Sequence, residues 1–191
     1  MVGRTHDLAA ITAITYIIAT SPIPKMSLAT AVVALSATMI GGLTPDIDQP
    51  TAPLWRSLPA GSIIGRLVSP FLGGHRFLSH SLLGILLFSF LSEHLLAMIS
   101  SVLLVNMHIV WECFMIGFIS HLVMDTFTRE GVPWLFPFPF HFGIPPLKFF
   151  RIKTGGIIEK AVIFPGLLVV NFFLIHSHSQ KFLTFLHNYI H

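Results

Sequence analysis

Charge is scarce in this chain of 191 residues: 11 lysines and arginines with 8 aspartates and glutamates make 10% of it, against about 25% in a typical soluble domain. With 53% hydrophobic residues, 18 of them phenylalanine, and a mean hydropathy of +0.80, that shortage excludes a globule dispersed in water. Cysteine is scarcer still. A single Cys113 excludes an intrachain disulfide and, set inside an apolar run, reads as packing. A dense basic stripe is also missing, so the net charge of +3 and the pI near 9.4 do not indicate nucleic acid; the excess reads as membrane topology. The N-terminal apolar run opens with Arg4, His6 and Asp7 and lacks a small-residue cleavage signature, so it is expected to stay as a first helix. No internal repeat of useful strength is present.

What is there is an integral membrane protein: an all-α helical bundle of about five spans, long enough for one domain with a real core. The single membrane-embedded domain is expected over 1–175, with a short tail over 176–191. Residues from His6 to Thr20 form the first span, stopped by Ser21-Pro22-Ile23-Pro24. Leu28 to Leu43 form the second, whose alanines and glycines permit close helix contact in lipid. Ile63 to Phe71 is too short to cross and is expected at the interface. The apolar region from His80 to Thr126 holds two spans. Ser92-Glu93-His94 and Ser100 to His108 are both candidate turns; the first is preferred because it keeps Glu93 near water. The proline- and phenylalanine-rich loop from Thr128 to Lys153 suits the headgroup region or a lid. The last span is expected from Ile157 to Ile175.

Polar residues that a hydrophobic bundle does not need cluster at the ends of these spans. His121 and Asp125 stand one helical turn apart and share a face. His6 opens the first span, Asp46 and Asp48 close the second, His75 and His80 open the third, and Glu159 opens the fifth. Alternating crossings place all of them on one membrane face. Nine of the 11 basic residues fall on that face, and only Lys25 and Lys181 on the other, which turns the site to the cytoplasm of an inner membrane.

Each group alone has a bland reading: a hydrogen-bonded pair in the bundle, a solvated helix end, an interfacial carboxylate. Their joint placement favours metal ligation. Imidazoles and carboxylates suit zinc best, with manganese or iron as alternatives, and eight candidates suffice for one to three ions. His75 and His80 face one way only if His75 sits in the glycine loop and His80 in the first turn, with Ser79 or Ser81 as helix cap. His141 lies on the same side and is a possible extra ligand or proton donor.

The stretches Pro45-Asp-Ile-Asp48, His75-Arg-Phe-Leu-Ser-His-Ser81 and Ser120-His-Leu-Val-Met-Asp-Thr-Phe-Thr128 together resemble the YdjM-like family of membrane-bound metal-dependent hydrolases. Gly131 to Phe138 is similar to the loop that follows in that family, and Gly156 to Glu159 to its last acidic motif; the resemblance covers roughly residues 3 to 165. Ser79 departs mildly from the threonine common before the second histidine. The family is in turn distantly similar to the all-helical zinc phospholipases C and P1-type nucleases. That similarity implies His121, Asp125 and Glu159 as ligands, joined by His6, His75 and His80, with Asp46 or Asp48 bridging metals or positioning water.

Such a site would hydrolyse a phosphate ester with metal-activated water. Asp48 is then the candidate base, and Arg76 either holds a phosphate oxygen or serves as a positive-inside anchor. A site at the bilayer surface under aromatic loops suggests membrane lipid as its surroundings and an amphiphilic phosphate ester as substrate. The alternative is a metal-binding transport or permeation protein, which would spread its ligands through the bilayer depth and enlist Glu93 and Glu112. A structural subunit whose metal only pins helix ends is the third reading.

Overall fold

Among the residues described by the computed structural model (1–73, 76–138 and 140–190), four helices are long and apolar enough to cross a bilayer: Leu28–Asp48, Leu82–Ile99, Met107–Thr126 and Glu159–Ser177. No sheet forms among these residues; two isolated bridges, Thr128 with Ile152 and Val132 with Phe142, are the nearest approach to one. In chain order the α-helices are α1 (Gly3–Thr20), α2 (Leu28–Leu43), α3 (Pro53–Arg56), α4 (Gly61–Val68), α5 (Leu82–Ile99), α6 (Met107–Thr126), α7 (Phe164–Ser177) and α8 (Ser179–Ile190). A 3₁₀ turn, Thr44–Asp48, prolongs α2, and a π turn, Glu159–Ile163, leads into α7, where Pro165 removes an amide donor from the first turn. The span Leu82–Ile99 and the span ending in α7 bury little of themselves inside the protein, so their side chains need hydrocarbon around them.

The first expected span forms as α1, but Arg4, His6 and Asp7 in its opening turns leave it outside the four most apolar helices. It is nonetheless part of the bundle and packs on α2, α6 and α7. Asn171 of α7 donates to Thr12 Oγ1 at 2.6 Å and to Leu167 O at 2.9 Å. Lys181 of α8 closes the other end of α1 by donating to the carbonyls of Ala19 (3.1 Å) and Ser21 (2.6 Å).

The hairpin between α5 and α6 turns at 100–106, not at Ser92-Glu93-His94 as preferred from the sequence. Nothing at 92–94 breaks a helix: Ser92 Oγ simply donates to Ser89 O at 3.1 Å. Asn106 instead starts a new helix, since its Oδ1 caps α6 by accepting from the amides of His108 and Ile109. Glu93 therefore sits exposed on α5, roughly 9 Å of helix from its end, within reach of the interface for a flexible side chain. Glu112 pairs with His108 at 3.6 Å, one turn away at the same end of the bundle.

The centre of the bundle is the contact between α2 and α6. Small residues allow it: a Cβ on Gly117 would stand 1.9 Å from Thr38 O, and one on Gly41 2.0 Å from Phe114 O. Around this seam Ile14, Ala34, Ala37, Ile109, Val110 and Cys113 form a buried apolar core, so Cys113 is packing, as its setting suggested. A second core of Phe118, Leu122 and Val132 seats the loop after α6 on the bundle. Trp134 fixes that loop by donating from Nε1 to Thr126 Oγ1 (3.2 Å), while its carbonyl accepts from Leu82 N (3.0 Å). The short α4 exposes Ile63, Ile64 and Leu67, an apolar edge suited to the bilayer interface.

Gly117→Val would drive α2 from α6. The expected cost is about 3 kcal/mol, or a fall of roughly 5–10 °C in melting temperature, measured by thermal unfolding in detergent.

Candidate metal centre

The residues that close α2, open α5 and end α6 meet around one point. His121 and Asp125 come from the last turns of α6, Asp46 and Asp48 from the 3₁₀ turn after α2, His80 from the short turn Leu78–His80 before α5, and His6 from the start of α1. His6, Asp48, His80, His121 and Asp125 are fully buried; Asp46 keeps 16% of its side chain exposed and is the opening of the cluster.

Hydrogen bonds decide which nitrogen each ring presents. His121 Nδ1 lies 2.7 Å from the Gly42 carbonyl, which only accepts, so Nδ1 carries the proton and the neutral ring leaves a lone pair on Nε2. That Nε2 has no hydrogen-bond partner and faces Asp46 Oδ1 at 3.6 Å and Asp125 Oδ2 at 3.7 Å. His80 is set by a longer chain. Ser79 Oγ donates to Asp48 Oδ2 at 2.7 Å and therefore accepts from His80 Nδ1 at 2.9 Å. The His80 Nε2 lone pair then points at the same two carboxylates, Asp46 Oδ1 and Asp125 Oδ2, each 3.8 Å away. Two unrelated supports thus turn two lone pairs onto one spot.

His6 stacks on His121 with ring centres 3.5 Å apart and places Nε2 3.3 Å from Asp125 Oδ1. Donor atoms of His80, His121 and Asp125 all lie within 4.8 Å of one another, as do those of His6, Asp46 and His121. These are two overlapping triads that share His121.

The chain belongs to the YdjM inner membrane protein family. The family model matches residues 1–186. A relative from Bacillus subtilis (strain 168), titled "Uncharacterized protein YvsG", is 29% identical over 187 residues, covering 95% of this chain and 100% of the relative. No solved structure matches.

The donor set of this family member fits a divalent cation. Ligands about 2.0–2.1 Å from a tetrahedral zinc stand roughly 3.3 Å apart, so separations of 3.6–3.8 Å close onto an ion with small side-chain shifts. Burying three carboxylates also requires positive charge. Arg76 supplies part of it. Its Nη2 lies 2.5 Å from Asp125 Oδ2, and its Nη1 donates to Thr128 Oγ1 at 2.9 Å. The α-amino group of Met1 contacts Asp125 Oδ1. Arg76 adopts a left-handed backbone, φ +61°, and its N–H donates to Asp48 Oδ2 at 2.7 Å.

Two expected residues stand apart from the triads. Glu159 is fully buried, but its oxygens accept from the amides of Val2 and Gly155, both at 2.7 Å, tying the start of α1 to the loop before the last span. Asp48 spends Oδ2 on Arg76 N and Ser79 Oγ, behind His80 rather than in front of it. His75 lies outside the described residues, and His141 is exposed against the edge of Phe77. Sequence reasoning treated Ser79 only as a cap. Ser81 is the cap, accepting from Gly84 N at 3.0 Å, and Ser79 is the hydroxyl that orients His80. Its signal was adjacency to a candidate ligand; the Gly42 carbonyl had none.

Ser79→Ala removes the hydroxyl that bridges Asp48 and His80, without replacing a candidate ligand. Zinc affinity, measured by competition with a chromophoric chelator, is expected to fall about 10- to 100-fold while the fold persists. Unchanged affinity would show that His80 is oriented by other means.

Proposed function

We propose that this membrane-embedded protein is a metal-dependent hydrolase of phosphate esters, with its centre at the cytoplasmic face of the inner membrane. The convergence of the His80 and His121 Nε2 atoms on Asp46 and Asp125 is the observation that carries the proposal. A polar network built only for stability would satisfy the His121 Nε2, which is buried and has no hydrogen-bond partner.

His80, His121 and Asp125 would hold one ion, and His6 and Asp46 would contribute to it or to a second. Zinc suits this donor set best, with manganese or iron as alternatives. When bound, the ion supplies Lewis acidity towards water and the phosphoryl oxygens. The protein supplies the rest. Asp46, the carboxylate with an exposed edge, is placed to take a proton from incoming water. Asp48 works behind it through Ser79, holding the His80 ring. Arg76 is the guanidinium inside the cluster, fixed by Asp125 and Thr128 and able to hold a phosphate oxygen. The distant similarity to the all-helical zinc phospholipases C and P1-type nucleases agrees with this use of histidines, aspartates and phosphate esters.

The transport alternative needs polar residues through the bilayer depth. Glu93 and Glu112, its strongest candidates, are exposed on the outside of α5 and α6, and Glu112 lies roughly 20 Å of helix from Asp125. The observation therefore favours hydrolysis.

Topology supports the orientation. The 18 residues of α1 make about 27 Å of helix, close to the hydrocarbon thickness, and run from the cluster to Lys181 at the far end. With α1 as a crossing beside the four longer apolar helices, the count would be five, with nine basic residues on the site face. In a Cys113→Ser background, Lys25→Cys is expected to react with an impermeant maleimide on intact cells, and Arg129→Cys only after lysis. The reverse pattern would turn the site outward.

Purified protein is expected to carry stoichiometric zinc by elemental analysis and to lose it in a His121→Ala, Asp125→Ala double variant. Release of phosphate from model phosphate esters should stop with a chelator and return with zinc. A folded wild type that takes up no metal when supplied would refute the proposal.

A further inference from the structure

A lateral groove along the bundle runs up to the 3₁₀ turn that carries Asp46 and Asp48. α2 and α5 both pack on α6 but stand apart from each other, leaving a cavity of about 460 Å³ floored by Val110 and Phe114. Its walls include Val33, Ala37 and Ile40 of α2 and Phe88, Leu91 and Leu95 of α5. It ends at Thr44, Ile47 and Leu54; Ile47 lies between Asp46 and Asp48 in the chain.

The groove offers no free hydroxyl. Ser36, Thr44 and Ser92 line it, but each donates to a carbonyl of its own helix: to Val32 at 3.0 Å, Ile40 at 2.7 Å and Ser89 at 3.1 Å. Its occupant must therefore be apolar along its length. At about 1.5 Å per residue, Val33 to Thr44 covers roughly 16 Å, half of a hydrocarbon core about 30 Å thick. A methylene takes roughly the 30 Å³ of a water molecule, so about 460 Å³ corresponds to on the order of fifteen methylenes, the size of one acyl chain. A second apolar cavity, about 340 Å³, lies at the opposite end beside Pro22, Met26 and α8, away from the cluster.

We propose that the groove between α2 and α5 is the tail site of a single-chain lipid phosphate, which presents its phosphate to the ion and Arg76 of the neighbouring centre. This rests on the hydrolase reading of the same centre and narrows its substrate to monoacyl or similar one-tailed phosphate esters. Lateral access from one leaflet lets the tail stay in hydrocarbon while the headgroup reaches the ligands, so little apolar surface meets water during binding.

The test uses the full-length protein with zinc in phosphatidylcholine vesicles and a monoacyl glycerol phosphate carrying a mid-chain diazirine. Labelling is expected to concentrate on the groove segments of α2, α5 and α6. Ile40→Trp, at an exposed wall position, should lower it about tenfold, and Leu95→Trp should act as an independent second plug. Both variants should lose hydrolysis of the long-chain ester while retaining that of glycerol phosphate, which has no tail. Labelling spread evenly onto α7, labelling indifferent to both plugs, or equal labelling by the neutral monoacylglycerol would each overturn the proposal. Phosphate-dependent groove labelling with no hydrolysis of either ester would uphold the tail site and refute the hydrolase reading instead.

Discussion

The close approach of α2 and α6 is the constraint on which the rest depends. Glycines at 41 and 117 bring the two backbones to a separation that no side chain could enter. In lipid such a seam is held by dispersion and backbone proximity, because the surrounding tails are as apolar as any leucine and give no hydrophobic drive to association. That proximity also places the Gly42 carbonyl on His121 Nδ1. One packing contact therefore fixes the helix pair and selects the tautomer of a metal-ligand candidate.

A buried group of carboxylates and imidazoles is costly in any protein and more so at the edge of a bilayer. Here the cost is met in layers. Asp48 and Ser79 steady His80 from behind, Gly42 steadies His121, and Arg76 balances Asp125. Glu159 is the same economy used for architecture: a buried carboxylate that joins two backbone amides from opposite ends of the chain. Outside this cluster, α5 and the last span are almost wholly committed to lipid contact. The protein concentrates its polarity at one place and leaves the flanks to the membrane.

The arrangement also explains why α5 stands away from α2. Both helices satisfy their packing on α6, and the gap between them is closed neither by bulky side chains nor by a hydrogen bond from its hydroxyls. A bundle selected only for stability would fill such a gap, since packing is its main source of cohesion in lipid. The membrane can fill it with a chain, and one end of it reaches Ile47, in the same 3₁₀ turn as Asp46 and Asp48.

Much of this was legible in the sequence. Hydropathy gave the spans, because a bilayer demands unbroken apolar length; the second span, Leu28 to Leu43, forms with the boundaries read from its residues. The grouping of Asp46, His80, His121 and Asp125, with His6, followed from alternating crossings. The turn at 100–106 was not legible, because keeping Glu93 near water points to Ser92-Glu93-His94, whereas the Asn106 cap that starts α6 acts through geometry. The division of labour within the cluster was not legible at all. Glu159 and Asp48 are the same residue types as Asp125 and Asp46, and only the positions of backbone amides and one serine hydroxyl set them apart. Sequence determined that this is a membrane bundle with clustered histidines and aspartates, because composition and span length fix where a segment can lie. Tertiary structure alone decided which atoms face inward, because hydrogen-bond direction depends on how distant backbones meet.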